Sequence, residues 1–157
     1  MKKVLIIFSF FVWTVTGLAG ERDKSSPSWA VRIAESFLQR HPGSVTYDST
    51  SPNQRWNYEQ GLMLESFHQM WLFSHDQKYF DFMKNNIDSY VAENGTIRTY
   101  NSNDFTLDNI APGRTLLTLY KETHDPKYKN AADTLRKQLR NQPRTKEGGF
   151  WHKKIYP

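Results

Sequence analysis

The residues best suited to chemistry in this chain are Asp108, Tyr58 and His152, each at a junction between a polar stretch and an apolar one. Asp108 lies in Phe105-Thr106-Leu107-Asp108-Asn109-Ile110-Ala111-Pro112-Gly113-Arg114, which ends a polar loop and opens an apolar segment. Pro112 fits only the first turn of a helix, because deeper in it would lose a backbone bond and clash with the preceding turn. The spacing therefore predicts a helix that begins close to Asp108, with its carboxylate at the N-terminus. Such a carboxylate is an N-cap, a catalytic group, or both. Amide donors and the helix dipole favour its charged form, so any chemistry it does would be that of a base or an orienting group.

Trp56 and Tyr58 enter an earlier apolar segment in the same way, with Glu59 next to them. They are either packing residues at a helix start or walls of a cavity. A third stretch, Gly148-Gly149-Phe150-Trp151-His152-Lys153-Lys154-Ile155-Tyr156-Pro157, has two glycines that let the backbone turn sharply before an aromatic ring and an imidazole. No His/Glu or His/Asp cluster has metal-ligand spacing, and there is no Gly-x-Ser-x-Gly or phosphate-binding loop. No cofactor is expected.

These residues need elements to hold them. Trp29 to Arg40 carries Ala30, Ile33, Ala34, Phe37 and Leu38 at helical spacing. Asn57 to Phe73 leaves little polar face, which predicts a helix buried on most sides. Gln77 to Val91 sets Tyr79, Phe80, Met83, Ile87 and Tyr90 against Lys78, Asp81, Lys84 and Asp88, a one-sided helix. The contrast recurs between Ile110–Tyr120 and the stripe Tyr128, Ala131, Ala132, Leu135, Leu139.

The recurrence is also visible in detail. Phe73-Ser74-His75-Asp76-Gln77-Lys78-Tyr79 is echoed by Glu122-Thr123-His124-Asp125-Pro126-Lys127-Tyr128 at an offset of 49 residues. A period of that size is two helices plus connections. His75 and His124 are then turn residues, and the helices run outer, inner, outer, inner, outer. Two layers of helical hairpins describe an α/α toroid or a curved solenoid. The inner-to-outer turns are minimal, whereas the segments 41–56, 92–107 and from 141 onward are long, and loops longer than about 12 residues are uncommon unless they have a function. All the long loops would lie at one end, where they bring several inner-helix N-termini to one mouth suited to an anion.

At the N-terminus, Lys2 and Lys3 precede an apolar run from Val4 to Val15 and the small residues Gly17, Ala19 and Gly20. Residues 1–20 read as a signal peptide, too short to span a bilayer. A periplasmic or secreted chain is expected, with no membrane association after cleavage. Removing the two lysines takes the formal charge from +5 to +3, and the basic residues are scattered, so nucleic acid is not an expected partner. The absence of cysteine excludes disulfides, a thiolate metal site and an acylated cysteine anchor. Aromatic residues make up 15%, a surplus that fits a sugar-binding cleft, although core packing accounts for most of them.

Trp56-x-Tyr58-x-x-Gly61, Leu107-Asp108-x-x-x-x-Gly113 and Gly148-Gly149-Phe150-Trp151-His152-x-x-x-Tyr156-Pro157, in this order, resemble the unsaturated rhamnogalacturonyl hydrolases of glycoside hydrolase family 105, with family 88 unsaturated glucuronyl hydrolases as kin. The resemblance covers nearly all of residues 21–157. It implies an all-α (α/α)6 barrel, of which this chain carries about five helices as the N-terminal part of the domain.

It also implies a substrate, a small oligosaccharide with a terminal 4,5-unsaturated uronic acid, made from pectin by lyases. The implied reaction is hydration of the C4=C5 bond, after which the ring opens and the glycosidic link breaks. An aspartic acid donates the proton and then activates water, and a second aspartate assists. The assisting residue matches Asp108; Tyr58 and His152 match substrate contacts, and Trp56 and Trp151 are walls. The family's donor stands in a Trp-Leu-Asp-Gly segment beyond the histidine loop, and the sequence stops at Pro157 before one. An inactive fragment is the expectation, with a non-catalytic sugar-binding α/α protein as the alternative. A peptide-binding solenoid fits less well, because solenoids have short connections on both edges.

Overall fold

Ser28 caps the first helix by accepting a hydrogen bond from the Val31 amide, and Asn57, Asp76 and Asp125 cap three of the later ones in the same way. The computed structural model describes residues 27–45 and 55–154. Among them are five helices: α1 (Trp29–Arg40), α2 (Tyr58–Ser74), α3 (Gln77–Asp88), α4 (Gly113–Thr123) and α5 (Pro126–Asn141). Two 3-10 turns, Ser102–Asp104 and Leu107–Asn109, lie in the connection before α4. The signal peptide, most of the 41–56 connection and Tyr156 lie outside the described residues.

Both short turns are built alike. His75 and His124 sit in the left-handed region with φ of 57° and 59°, closing α2 and α4 with amide bonds back to Trp71 and Tyr120. Asp76 and Asp125 then cap α3 and α5 by accepting from the Lys78 and Lys127 amides. The hydroxyls of Ser74 and Thr123 bond back to Met70 and Leu119 and receive the amides of Asp76 and Asp125. The repeat is therefore a turn motif, as its sequence implies.

A clip between one-sided helices follows each turn. The Tyr79 hydroxyl donates to Glu35 on α1 at 2.6 Å, and Lys78 reaches the same carboxylate at 2.8 Å. In the second copy Tyr128 donates to Asp88 at the end of α3 at 2.6 Å, with Lys127 at 3.2 Å. The second residue of α5 thus touches the last residue of α3, so these helices are stepped.

Helices α2 and α3 pair, as do α4 and α5; α2 packs on α4, and α1 on α2. Phe67 of α2 anchors the core, with ring centroids 4.6 Å from Phe82, 5.6 Å from Phe37 and 5.9 Å from Tyr79. Leu64, Met83, Ile87, Leu116, Leu119 and Leu135 are buried around it. One expectation fails here. Helix α2 has little polar face but buries a single side, through Gln60, Gly61, Leu64 and Phe67, and exposes Leu62, Leu72 and Phe73. Its described neighbours α1, α3 and α4 cover only that face. On α4, Leu117 is likewise exposed.

Candidate active site

The candidate site residues lie at the start of α2, in the 3-10 turn Leu107–Asn109 before α4, and in the loop after α5. Asn57 caps α2 in a reciprocal box: its side chain accepts from the helix amides, while Gln60 Oε1 accepts from the Asn57 amide at 2.9 Å. That box fixes Tyr58 as the first helical residue, with its ring half exposed. Gly61 follows one turn later because nothing larger fits. A Cβ there would stand 2.6 Å from the Ala111 carbonyl carbon and 2.7 Å from the Pro112 nitrogen. The missing side chain lets the backbone after Asp108 lie directly on α2.

Of the two roles open to Trp56, packing residue and wall, the structure shows the first, against the wall that the resemblance implies. Its side chain is only 1% exposed, so it is not a wall that a ligand can touch here. The indole Nε1 donates to the Asn109 carbonyl at 2.8 Å, its ring meets Tyr90 edge-on, and its amide donates to Thr99 Oγ1 at 2.8 Å. Thr99 has φ 64°, a costly conformation for a β-branched residue. Trp56 thus supports the turn next to Asp108 from beneath.

Asp108 is not the N-cap of α4. It occupies the 3-10 turn Leu107–Asn109, and α4 begins at Gly113 with Pro112 in the cap position and no side-chain capping bond. The break follows from contacts remote in sequence: Trp56 holds Asn109, and Gly61 admits Ala111 and Pro112. Freed from capping, the half-exposed carboxylate turns to His152, with Oδ2 3.6 Å from Nε2. That separation suits an ion pair when the imidazole is protonated and is too long for a hydrogen bond. Among the described residues Asp108 has no other charged partner.

The histidine loop is a tight hairpin. Gly148 adopts φ 87°, the Thr145 amide donates to the Gly149 carbonyl at 2.8 Å, and Arg144 lies 3.4 Å over the Phe150 ring. The loop is then tied to the Asp108 segment by two backbone bonds, Leu107 N–H to His152 O at 2.9 Å and Lys154 N–H to Asp104 O at 3.0 Å. Trp151 is half-buried, its amide bonded to Pro143 O. Asp108 and His152 are brought together in this way; Trp151 adjoins His152 in the chain, and Tyr58 stands at the start of α2, two residues after the Trp56 that bonds Asn109.

Gln138 of α5 and Gln142, the residue that caps it, are both buried and hold this loop assembly, and sequence reasoning missed them. Their signal was present: positions 128, 131, 135, 138 and 142 form one helical stripe, and two of its members are amides. No group of three His, Asp or Glu residues among those described is arranged to hold a metal ion. A polar groove of about 720 Å³ lies elsewhere, between residues 94–102 and the Asn130–Arg140 face of α5. It contains neither Asp108 nor His152, and its lining offers no carboxylate–imidazole pair.

The description "Glycosyl Hydrolase Family 88" belongs to the family model that matches residues 29–157. The chain belongs to glycosyl hydrolase family 88. A solved glycoside hydrolase from family 105, of C. acetobutylicum ATCC 824, is similar to this family 88 chain at 36% identity and a TM-score of 0.74. The similarity covers 83% of this chain and 34% of that one, so the chain spans about a third of the relative's length. The helical hairpins are part of an (α/α)6 barrel, and the two families that the three motifs resemble are returned one by each comparison, family 88 by the model and family 105 by the solved structure.

Proposed function

We propose that these residues form part of a pocket for a terminal 4,5-unsaturated uronic acid, on an exported enzyme that removes this sugar from lyase-generated rhamnogalacturonan oligosaccharides. The observation that carries the reading is the Asp108–His152 pair, held at 3.6 Å by loops from different parts of the chain. Hydration adds a proton to C4 and hydroxide to C5; the resulting hemiketal opens to a ketone at C5, and the C1 hemiacetal then expels the next sugar. Asp108 assists as the carboxylate that orients water or the sugar hydroxyls. His152, when protonated, and the Tyr58 hydroxyl donate hydrogen bonds to the uronate or its hydroxyls, and the Trp151 ring borders the sugar. Acid–base chemistry of this kind needs a second, protonated carboxyl. The Trp-Leu-Asp-Gly motif that carries it in the resembled family does not occur in these 157 residues.

The chain alone is therefore expected to bind and not to turn over. Calorimetry with an unsaturated rhamnogalacturonan disaccharide checks this alongside the ultraviolet absorbance of the double bond. The expected result is saturable binding, weakened at least tenfold by Asp108→Asn, with the absorbance retained. Absence of binding at millimolar sugar would remove the reading.

A further inference from the structure

Three residues before Asp108, Phe105 has φ 48°, a conformation that phenylalanine rarely adopts. Its carbonyl accepts from Gln142 Nε2 at 2.6 Å. The second hydrogen of the same amide goes to the carbonyl of Trp151 at 2.8 Å, one residue before His152. One side-chain NH2 thus joins the two loops that carry the pair. Gln142 Oε1 accepts from Gln138 Nε2 at 3.1 Å, which also donates to the Thr106 carbonyl at 3.1 Å. The Tyr100 hydroxyl donates to Gln138 Oε1 at 2.7 Å and fixes that amide in turn.

The orientation of both amides is determined by these partners. Carbonyl oxygens cannot donate, so a flipped Gln142 would set oxygen against oxygen at two places. Apolar side chains at 138 and 142 would complete the α5 stripe but would leave the carbonyls of Phe105, Thr106 and Trp151 without these donors. A strained turn persists only where its surroundings over-determine it, and here the amides do so.

We infer that Gln138 and Gln142 are positioning residues, a paired amide clamp that sets the separation and facing of Asp108 and His152. The inference rests on the reading of that pair as part of the site, and its test uses no sugar, so either can fail without the other.

The His152 ring resonances of the 157-residue chain are recorded with and without Asp108→Asn, in three backgrounds: unaltered, Gln142→Met and Tyr100→Phe. In the unaltered chain Asp108→Asn is expected to shift the ring resonances. That shift is expected to be lost with Gln142→Met, which keeps volume and removes the donors, and to persist with Tyr100→Phe, which leaves the Gln142 bridge intact. An unchanged shift in folded Gln142→Met, whatever its melting temperature, overturns the proposal. A further measurement needs no variant: the side-chain amide protons of Gln142 are expected to exchange with solvent more slowly than those of exposed Gln39. Equal rates overturn it as well.

Discussion

The short turns at 74–79 and 123–128 and the long segments at 92–112 and 142–154 are held by opposite chemistry. In the turns the charges are used up internally. Lys78 meets Glu35 and Asp76, while Lys127 meets Asp88, Glu93 and Asp125. In the long segments the ties nearest Asp108 and His152 are uncharged, carbonyls gripped by an indole and two buried amides, and the carboxylate and imidazole face each other. A second contrast lies between the two clips: Lys78 and Glu35 are about half exposed, whereas Lys127 is buried.

The sharpest way to break the first contrast is Gly61→Ala. The new methyl would collide with Ala111 and Pro112 backbone, which cannot swing aside as a side chain can. A loss of about 3 kcal/mol is expected from thermal or denaturant unfolding. The second contrast is sharpened by removing the two clip hydroxyls. Tyr128→Phe is expected to cost about 2 kcal/mol, because Asp88 is partly buried beside a buried lysine, and Tyr79→Phe less than about 1 kcal/mol, because Glu35 is well hydrated.

Acid and alkali act on the same clips. Hydrogen bonds from Lys78 and Tyr79 hold Glu35 below its ordinary 4.5. Burial opposes ionisation of Asp88, yet bonds from Lys84, Tyr128 and Lys127 outweigh it and hold that carboxyl below 3.8. Burial and Glu35 push Tyr79 up to about 12. Groups lowered on folding stabilise above their unfolded values, and groups raised on folding stabilise below theirs. The contribution of the clips is therefore complete between about pH 4.5 and 10, lost on the acid side as pH falls through the lowered carboxyl values, and lost on the alkaline side as it rises toward 12. Urea midpoints measured across pH should show that plateau, and Tyr128→Phe should lower it.

The smallest effect expected is at the turn histidines. Both are left-handed without needing an imidazole there, so His75→Gly or His124→Gly should be neutral or stabilising by up to about 1 kcal/mol in melting experiments. A clear destabilisation would show that the rings themselves contribute.

The turns were legible because their determinants are local: Ser/Thr-His-Asp with Lys-Tyr following writes the same hydrogen bonds twice. Helix order and the long-against-short connections followed from hydrophobic periodicity. The start of α4 was misplaced because Asp108 and Pro112 satisfy a capping pattern that Trp56, 53 positions from Asn109, overrides with its indole bond. Trp56 itself looked like a cavity wall because position at a helix start does not reveal which way an indole packs. Gln138 and Gln142 passed as polar breaks in a stripe, since their partners are loop carbonyls that no periodicity marks.

The proposed function requires Tyr58, Asp108 and His152 to share one pocket for an unsaturated uronate. The most direct measurement is a titration of the labelled chain with the unsaturated disaccharide, following amide and ring resonances. Coordinated, saturable changes are expected at those three residues and at Trp151, with none in the turns at 74–79 and 123–128. Changes confined to the groove between residues 94–102 and α5, or spread over the short turns, would contradict it.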